Sequence, residues 1–113
     1  MASAQDVKKS LEKWAKKLDN PEIAKEFEGY NKTMQFLFPD INYKLQLVFK
    51  DKKAKVVEGI KKDAEMSLEV KSDLFLGISN GTLDPMELFM EGKLKPKGDM
   101  ASLEKLQIFI EEP

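Results

Sequence analysis

The sequence contains no histidine, no cysteine and no arginine. Without histidine, the chain lacks the side chain that most often acts as a general base near neutral pH. Without cysteine, it has no thiol nucleophile and no disulfide, and the two absences together remove the usual ligands of zinc and iron. Catalysis would have to rest on carboxylates, lysines, tyrosines or hydroxyls. We therefore predict a protein without catalytic residues, metal site or cofactor.

The absence of arginine limits recognition of anionic groups. All 19 basic residues are lysines, and they face 20 acidic residues for a net charge of -1. Lysine is a point charge and cannot form the bidentate fork with which arginine holds a phosphate, a carboxylate or a guanine. A chain with this balanced charge is not expected to bind nucleic acids.

Long apolar runs are also missing. No run approaches the ~20 residues that span a bilayer, and the N-terminal stretch lacks the apolar segment of a secretion signal. We therefore expect a cytoplasmic protein. Residues 1–113 have the length of one domain, large enough for a core but too small to enclose a large cavity without losing much of that core.

The spacing of apolar residues predicts an α+β fold. Alternation with a period of two predicts strands at 32–38, 41–49, 53–58, 64–71 and 93–97. Helical spacing predicts helices that end near residues 18, 28, 79, 91 and 110. Because the strands pair an apolar face with a charged face, we expect a five-stranded, mostly antiparallel sheet with helices covering one face.

The first predicted helix carries an apolar stripe that includes Leu11 and Trp14, and its other face is rich in lysine. Such a helix could make transient contact with an anionic membrane. The alternative is that the stripe packs on the core while the lysines are solvated. The acidic residues between 19 and 28 cancel the positive charge of the helix and favour the second reading.

The C-terminal third is unusually rich in large, pliable apolar side chains. They exceed the one stripe that each short helix needs to pack on a sheet. They either fill a single core or line a cavity for an apolar ligand. The candidate lipid-binding residues are Phe75, Ile78, Leu83, Met86, Phe89, Met90, Met100, Leu103, Leu106 and Phe109.

The same segment carries a specific pattern of glycine, proline and apolar residues. It reads Gly81-x-Leu83-Asp84-Pro85-Met86, then Phe89-Met90-x-Gly92-Lys93-Leu94-Lys95-x-Lys97-Gly98-Asp99-Met100, and ends in Lys105-Leu106-Gln107. This order resembles the C-terminal signature of the sterol carrier protein 2 family, the non-specific lipid-transfer domain. The resemblance implies a small α+β domain that encloses a hydrophobic tunnel, and so favours the cavity.

The C-terminus lacks the Ser/Ala-Lys-Leu type of peroxisomal tripeptide that often ends eukaryotic members of this family. We therefore expect a stand-alone prokaryotic member. The leading hypothesis is a non-catalytic carrier of a fatty acid, an acyl-CoA, a phospholipid or a sterol. The alternatives are a protein-interaction or oligomerisation module with a collapsed pocket and, least favoured, an acyl-thioester enzyme.

A polar head group would have to meet the mouth of the tunnel. The candidate contacts are the ammonium groups of Lys93, Lys95, Lys97 and Lys105. Backbone amides near Gly98 and Asp99, at the start of the last helix, are an alternative for an anion. The carboxylate of Asp99 would repel an anion there, so no residue is assigned to the head group.

Overall fold

The computed structural model describes residues 2–111. Residues 112 and 113, part of the C-terminus on which the prokaryotic assignment rests, lie outside the described residues. The helices are α1 (Ala4–Lys16), α2 (Pro21–Ala24), α3 (Ser72–Ser79), α4 (Pro85–Met90) and α5 (Met100–Glu111), with 3-10 turns at Lys17–Asp19 and Lys25–Phe27. The strands are β1 (Thr33–Phe38), β2 (Tyr43–Lys50), β3 (Lys53–Glu58), β4 (Met66–Val70) and β5 (Leu94–Gly98).

Side-chain caps start several of the helices. Ser3 and Asp6 form a reciprocal capping box at α1. Asn20 and Asp84 each accept a hydrogen bond from the amide two residues later, and each is followed by a proline at the first helical position. The carboxylate of Asp84 contacts the amide of Met86, so α4 begins with this single cap.

The five strands form one sheet in the order β3-β2-β1-β4-β5. Neighbouring strands are antiparallel except for β1 and β4, which run parallel with Phe36 opposite Leu68. The predicted mostly antiparallel sheet is therefore confirmed. Pro96 lies on the edge strand β5, where its missing amide hydrogen does not break the hydrogen bonds between two inner strands.

The parallel pair requires a crossover, because β3 and β4 run in the same direction and are separated by β2 and β1 in the sheet. Residues 59–65 make this connection across the face that the helices leave open. The amide of Lys61 donates to Oε1 of Gln35 at 3.0 Å, and the amide of Glu65 donates to the carbonyl of Thr33 at 3.2 Å. The outer face of the sheet is thus partly covered by the chain itself.

Aromatic rings fill the space between the sheet and the helices. The indole of Trp14 on α1 stacks on Phe109 of α5, with the ring centroids 5.4 Å apart, and meets Phe75 of α3 edge-on at 5.2 Å. Phe27 stacks on Phe49 of β2 at 5.1 Å. Every one of these rings is buried. The helices therefore share one core on one face of the sheet, as predicted.

Two strands begin two residues later than predicted, β2 at residue 43 and β4 at residue 66. Strand β2 begins at Tyr43 rather than at Ile41, because residues 39–42 form a turn in which Asn42 has a φ of 49°. Ser72 is the first residue of α3 and does not cap the helix. Its amide and hydroxyl instead donate to the carboxylate of Asp40 at 2.9 and 2.6 Å.

Gly98 joins β5 to α5 and offers a test of this packing. Its φ is 134°, and a Cβ there would lie 2.2 Å from the backbone oxygen of Glu65. We expect Gly98→Ala to lower the free energy of unfolding by clearly more than Gly29→Ala, which meets open space at a φ of 77° and costs only the backbone strain of ~1 kcal/mol. Urea unfolding of both variants measures the difference. Equal losses would contradict the close approach of β5 to β4.

Candidate functional site

The candidate lipid-binding residues do not lie together in one enclosed space. One set is buried in the common core: Phe75, Ile78, Leu106 and Phe109. Leu103 is half-buried. The other set is exposed to solvent: Leu83, Met86, Phe89, Met90 and Met100. The structure therefore divides the predicted lining into an inner wall and an outer apolar surface.

The inner wall is part of the aromatic core. The ring of Phe75 contacts Trp14, Phe36 and Phe38, with centroid distances between 5.2 and 5.7 Å. Phe109, on α5, contacts Trp14 of α1 and Phe27 of the second 3-10 turn. These side chains touch one another, so the inner wall packs against other core residues. The expected tunnel remains a prediction.

Met100 does not join Leu106 on the buried side of α5, although both are candidate lipid-binding residues. The buried side of this helix carries Ser102, Leu106 and Phe109. The hydroxyl of Tyr30 donates to Oγ of Ser102 at 2.5 Å inside the core. This bond fixes the rotation of the helix and leaves 71% of Met100 exposed.

The outer apolar surface is concentrated on α4. Only Leu88 of this six-residue helix is buried. Met86 and Met90 lie four residues apart on the same side, about half a turn away from Leu88, so both point outward. Their exposed fractions are 61% and 78%, and Phe89 on the adjoining flank is 51% exposed. The helix thus turns apolar side chains to solvent, where polar ones are usual.

Leu83 connects this surface to α3. Its Cδ1 lies 2.3 Å from where a Cβ of Gly77 would be, so the leucine occupies space that glycine leaves free. The amides of Thr82 and Leu83 both donate to the carbonyl of Gly77, at 2.9 and 3.0 Å. The segment before α4 is therefore held against α3 by these contacts.

An open cleft of about 410 Å³ lies beside the end of α4. Its walls are Pro39, Glu69, Val70, Lys71, Asp73, Leu74, Gly92, Lys93 and Lys95. None of the predicted lipid-binding residues lines this cleft, and sequence analysis did not identify it. Its residues come from three separate stretches of the chain, at position 39, at 69–74 and at 92–95, and the only local signal is Lys71 between apolar Val70 and Leu74.

Two of the candidate head-group lysines lie at this cleft. The ammonium of Lys93 is 3.5 Å from Glu91 and that of Lys95 is 3.8 Å from Glu69, and both pairs are exposed. Exposed pairs contribute little to stability, so both lysines can exchange partners. Lys105 is differently placed, because it donates a hydrogen bond to the carbonyl of Glu26 and lies over the ring of Phe27.

The start of α5 already holds a carboxylate. Asp99 accepts a hydrogen bond from the amide of Ser102 at 2.7 Å and one from Nζ of Lys32 at 3.0 Å. The bonds from Ser102 and the charge of Lys32 lower the pKa of Asp99 to about 2. The carboxylate is therefore ionised at neutral pH and occupies the position that a ligand anion would need.

The apolar stripe of α1 is directed into the core. Val7, Leu11, Trp14 and Leu18 are each no more than 2% exposed. The helix therefore presents its polar face to solvent. Within residues 2–111, no helix combines the length and the apolar character needed to cross a bilayer.

The comparisons with known proteins agree with this fold. The model of the SCP-2 sterol transfer family matches residues 8–111. The chain belongs to that family. The resemblance seen in the C-terminal signature is thereby confirmed, and the SCP-2 family is one of sterol and lipid transfer. No curated protein matched the chain.

Solved structures show the same SCP-2 fold. A sterol carrier protein domain from Helicoverpa armigera has 18% identity and a TM-score of 0.76, covering 96% of this chain and 90% of that one. Sterol carrier protein 2 from Yarrowia lipolytica, in its apo form, has 26% identity and a TM-score of 0.62, covering 88% of each chain. An inverting sec-alkylsulfatase from Pseudomonas has 19% identity and a TM-score of 0.65 over 77% of this chain, which spans only 13% of the sulfatase.

The lowered pKa of Asp99 predicts how this SCP-2 chain responds to acid. A carboxylate whose pKa falls from 3.8 to about 2 on folding stabilises the folded state fully above pH 3.8, and this contribution is lost as the pH falls through about 2. We expect Asp99→Asn to lower stability at pH 7, because asparagine keeps the cap but loses the charge beside Lys32. Thermal unfolding of both proteins from pH 7 to pH 2 measures the difference. A difference that does not shrink below pH 3.8 would contradict the assignment.

Proposed function

We propose that this protein binds a lipid or acyl chain and transfers it between membranes without catalysing a reaction. Membership of the SCP-2 sterol transfer family over residues 8–111 is the observation that carries the proposal. The exposed apolar side chains of α4 support it, since a solvated helix has no structural need of them. Residues 1–113 would act as a single lipid-binding domain in the cytoplasm.

Burial of the chain alone supplies enough free energy. Moving ~16 carbons from water into an apolar slot gains about 0.8 kcal/mol for each methylene, or roughly 10 kcal/mol before the costs of association. The same transfer from a bilayer gains almost nothing, because lipid tails are equally apolar. The protein would therefore load and unload at membranes. Methionine side chains repack easily, so selectivity among fatty acid, acyl-CoA, phospholipid and sterol is expected to be low.

A chain can enter only if part of the structure moves, because aromatic rings occupy the interior. We assign this movement to α4, which is attached to the core by one buried side chain, Leu88. Displacing α4 and the segment that contains Leu83 would uncover α3, whose Phe75 and Ile78 face the core. In this arrangement the buried candidates form the far wall of the ligand site, and those on α4 form its cover.

Neither tyrosine has a pKa lowered toward neutrality, as a general base at physiological pH would need. Burial and a hydrogen bond to Glu58 raise the pKa of Tyr43 to about 12. Burial also raises the pKa of Tyr30, whose hydroxyl is engaged with Ser102. Both phenols therefore stay neutral at physiological pH and are poor general bases.

The filled core favours a second candidate function, a protein-interaction module that keeps the fold with a collapsed pocket. In that case the apolar surface of α4 would contact another protein, and no lipid would be taken up. The two functions differ in whether a soluble fatty acid saturates the protein.

Trp14 provides the signal for that test, because it is the only tryptophan and touches Phe75 and Phe109. We expect cis-parinaric acid to quench the emission of Trp14 saturably, at one ligand per chain, by energy transfer over a short distance. Fluorescence titration in the absence of membranes measures this. Trp14→Phe should keep the ligand fluorescence but lose the energy transfer. Absence of saturable binding would overturn the carrier function in favour of the interaction module.

The proposed movement of α4 can be blocked by a disulfide. An ideal Cβ at position 77 lies 3.3 Å from Cβ of Leu83, slightly closer than the 3.5–4.5 Å that disulfides favour. In Gly77→Cys/Leu83→Cys, the only two cysteines of the chain would tie the segment before α4 to α3. We expect the oxidised form to take up parinaric acid at least about tenfold more slowly than the wild type.

The same variant after reduction is the matched control, and it should recover the faster uptake. Mass spectrometry under non-reducing conditions verifies that the bond has formed. Equal uptake rates in the oxidised and reduced forms would show that the ligand enters without displacing this segment.

A further inference from the structure

We propose that the outer face of α4, formed by Met86, Phe89 and Met90, docks onto a lipid bilayer. This inference rests on the proposed lipid-transfer function and names the surface through which transfer occurs. It differs from the expectation that the N-terminal helix makes the membrane contact.

The apolar side chains of the N-terminal helix are not available to insert into a membrane. Val7, Leu11 and Trp14 are buried in the core and are not available to a membrane unless the helix leaves the sheet. Trp14 alone makes ring contacts with three other aromatic residues. Undocking α1 would therefore break the core, whereas α4 presents its apolar side chains without any rearrangement.

The arrangement of α4 suits an interfacial helix that lies in the plane of the membrane. Met86 and Met90 project on the side opposite Leu88, with Phe89 on one flank and Glu87 and Glu91 on the other. An interfacial helix buries such an apolar face ~5–10 Å deep and keeps its acidic flank in the head-group region. Unbranched methionines and one phenylalanine can enter disordered acyl chains without needing a complementary pocket.

The exposed area is too small for a stable dimer through this face. A stable interface buries ~800 Å² on each partner. Three partly exposed side chains of roughly 200 Å² each fall short of this value. A bilayer has no such requirement of area or shape.

Charge close to α4 is balanced, because Asp84, Glu87 and Glu91 oppose the three exposed lysines that follow Gly92, Lys93, Lys95 and Lys97. Attraction to a bilayer therefore rests on the apolar side chains. A lysine side chain is long enough to contact head-group phosphates while the apolar residues insert. Lys93 and Lys95 also line the open cleft, which this docking would place beside the lipid surface.

The test uses tryptophan as a local reporter in a Trp14→Phe background. One protein also carries Met90→Trp, and its matched control carries Ile60→Trp, since Ile60 is 57% exposed on the crossover over the other face of the sheet. Delipidated proteins are mixed with vesicles of phosphatidylcholine, with or without phosphatidylglycerol. We expect a blue shift and quenching by brominated lipid only for tryptophan at position 90, with both types of vesicle.

A second pair of variants measures how much the side chains contribute. Met86→Gln/Met90→Gln keeps the size of both side chains and removes their apolar character, and Ile60→Gln is the control. We expect co-flotation of the double variant with anionic vesicles to fall at least about tenfold, with no change for Ile60→Gln. Circular dichroism verifies that each variant is folded.

Three results would overturn the proposal. The first is vesicle binding without a response from tryptophan at position 90. The second is loss of binding on Lys9→Gln/Lys13→Gln but not on Met86→Gln/Met90→Gln, which would place the contact on α1. The third is concentration-dependent dimerisation through α4 without vesicle binding, which would identify a second copy as the occupant.

Failure of docking is distinguishable from failure of the proposed function. A wild-type protein that takes up parinaric acid from solution but binds neither type of vesicle would retain the carrier function and lose the docking surface. A protein that docks through position 90 but takes up no fatty acid would keep the docking surface and lose the carrier function.

Discussion

The stacking of Trp14 on Phe109 is the interaction on which the rest of the structure depends. It joins the first helix to the last, and edge-to-face contacts of the same indole reach Phe36 on the sheet and Phe75 on α3. Such pairs contribute ~0.5–1.5 kcal/mol each beyond the burial of their area. Through them, one side chain holds three helices on the same face of one sheet.

This core limits how a lipid can be held. A domain of this size cannot keep a dense aromatic interior and a large permanent cavity at the same time. The structure favours the dense interior, and the weakly attached element is α4, with Leu88 as its only buried residue. Binding would then replace contacts of the cover with contacts of the ligand. A helix that gives up its contacts when ligand binds does not need a large buried face. This accounts for a surface helix whose methionines face outward.

Local signals in the sequence were sufficient for much of the fold. The bounds of β3 and the caps at Ser3 and Asp84 follow from alternation, capping chemistry and the proline after Asp84. The left-handed end of α4 follows from Gly92, with a φ of 75°. These features depend on residues that are close in the chain, so one segment contains all the information.

Features that depend on distant partners were not predictable in the same way. The parallel pairing of β1 with β4 depends on the path of residues 59–65, which alternation does not encode. Met100 was placed inward, but the bond between Tyr30 and Ser102 rotates it outward. The cleft beside Lys71 was missed because its walls meet only after folding. Apolar composition thus identified the residues of interest but not which side of the helix they occupy.

The central claim is that an apolar molecule occupies this fold. Native mass spectrometry of the purified protein, followed by denaturation and identification of the released small molecule, tests it most directly. The account predicts one apolar ligand per chain, or its appearance after incubation with fatty acid, acyl-CoA or sterol. A chain that retains its bare mass under all these conditions, without any change in thermal stability, would contradict the account.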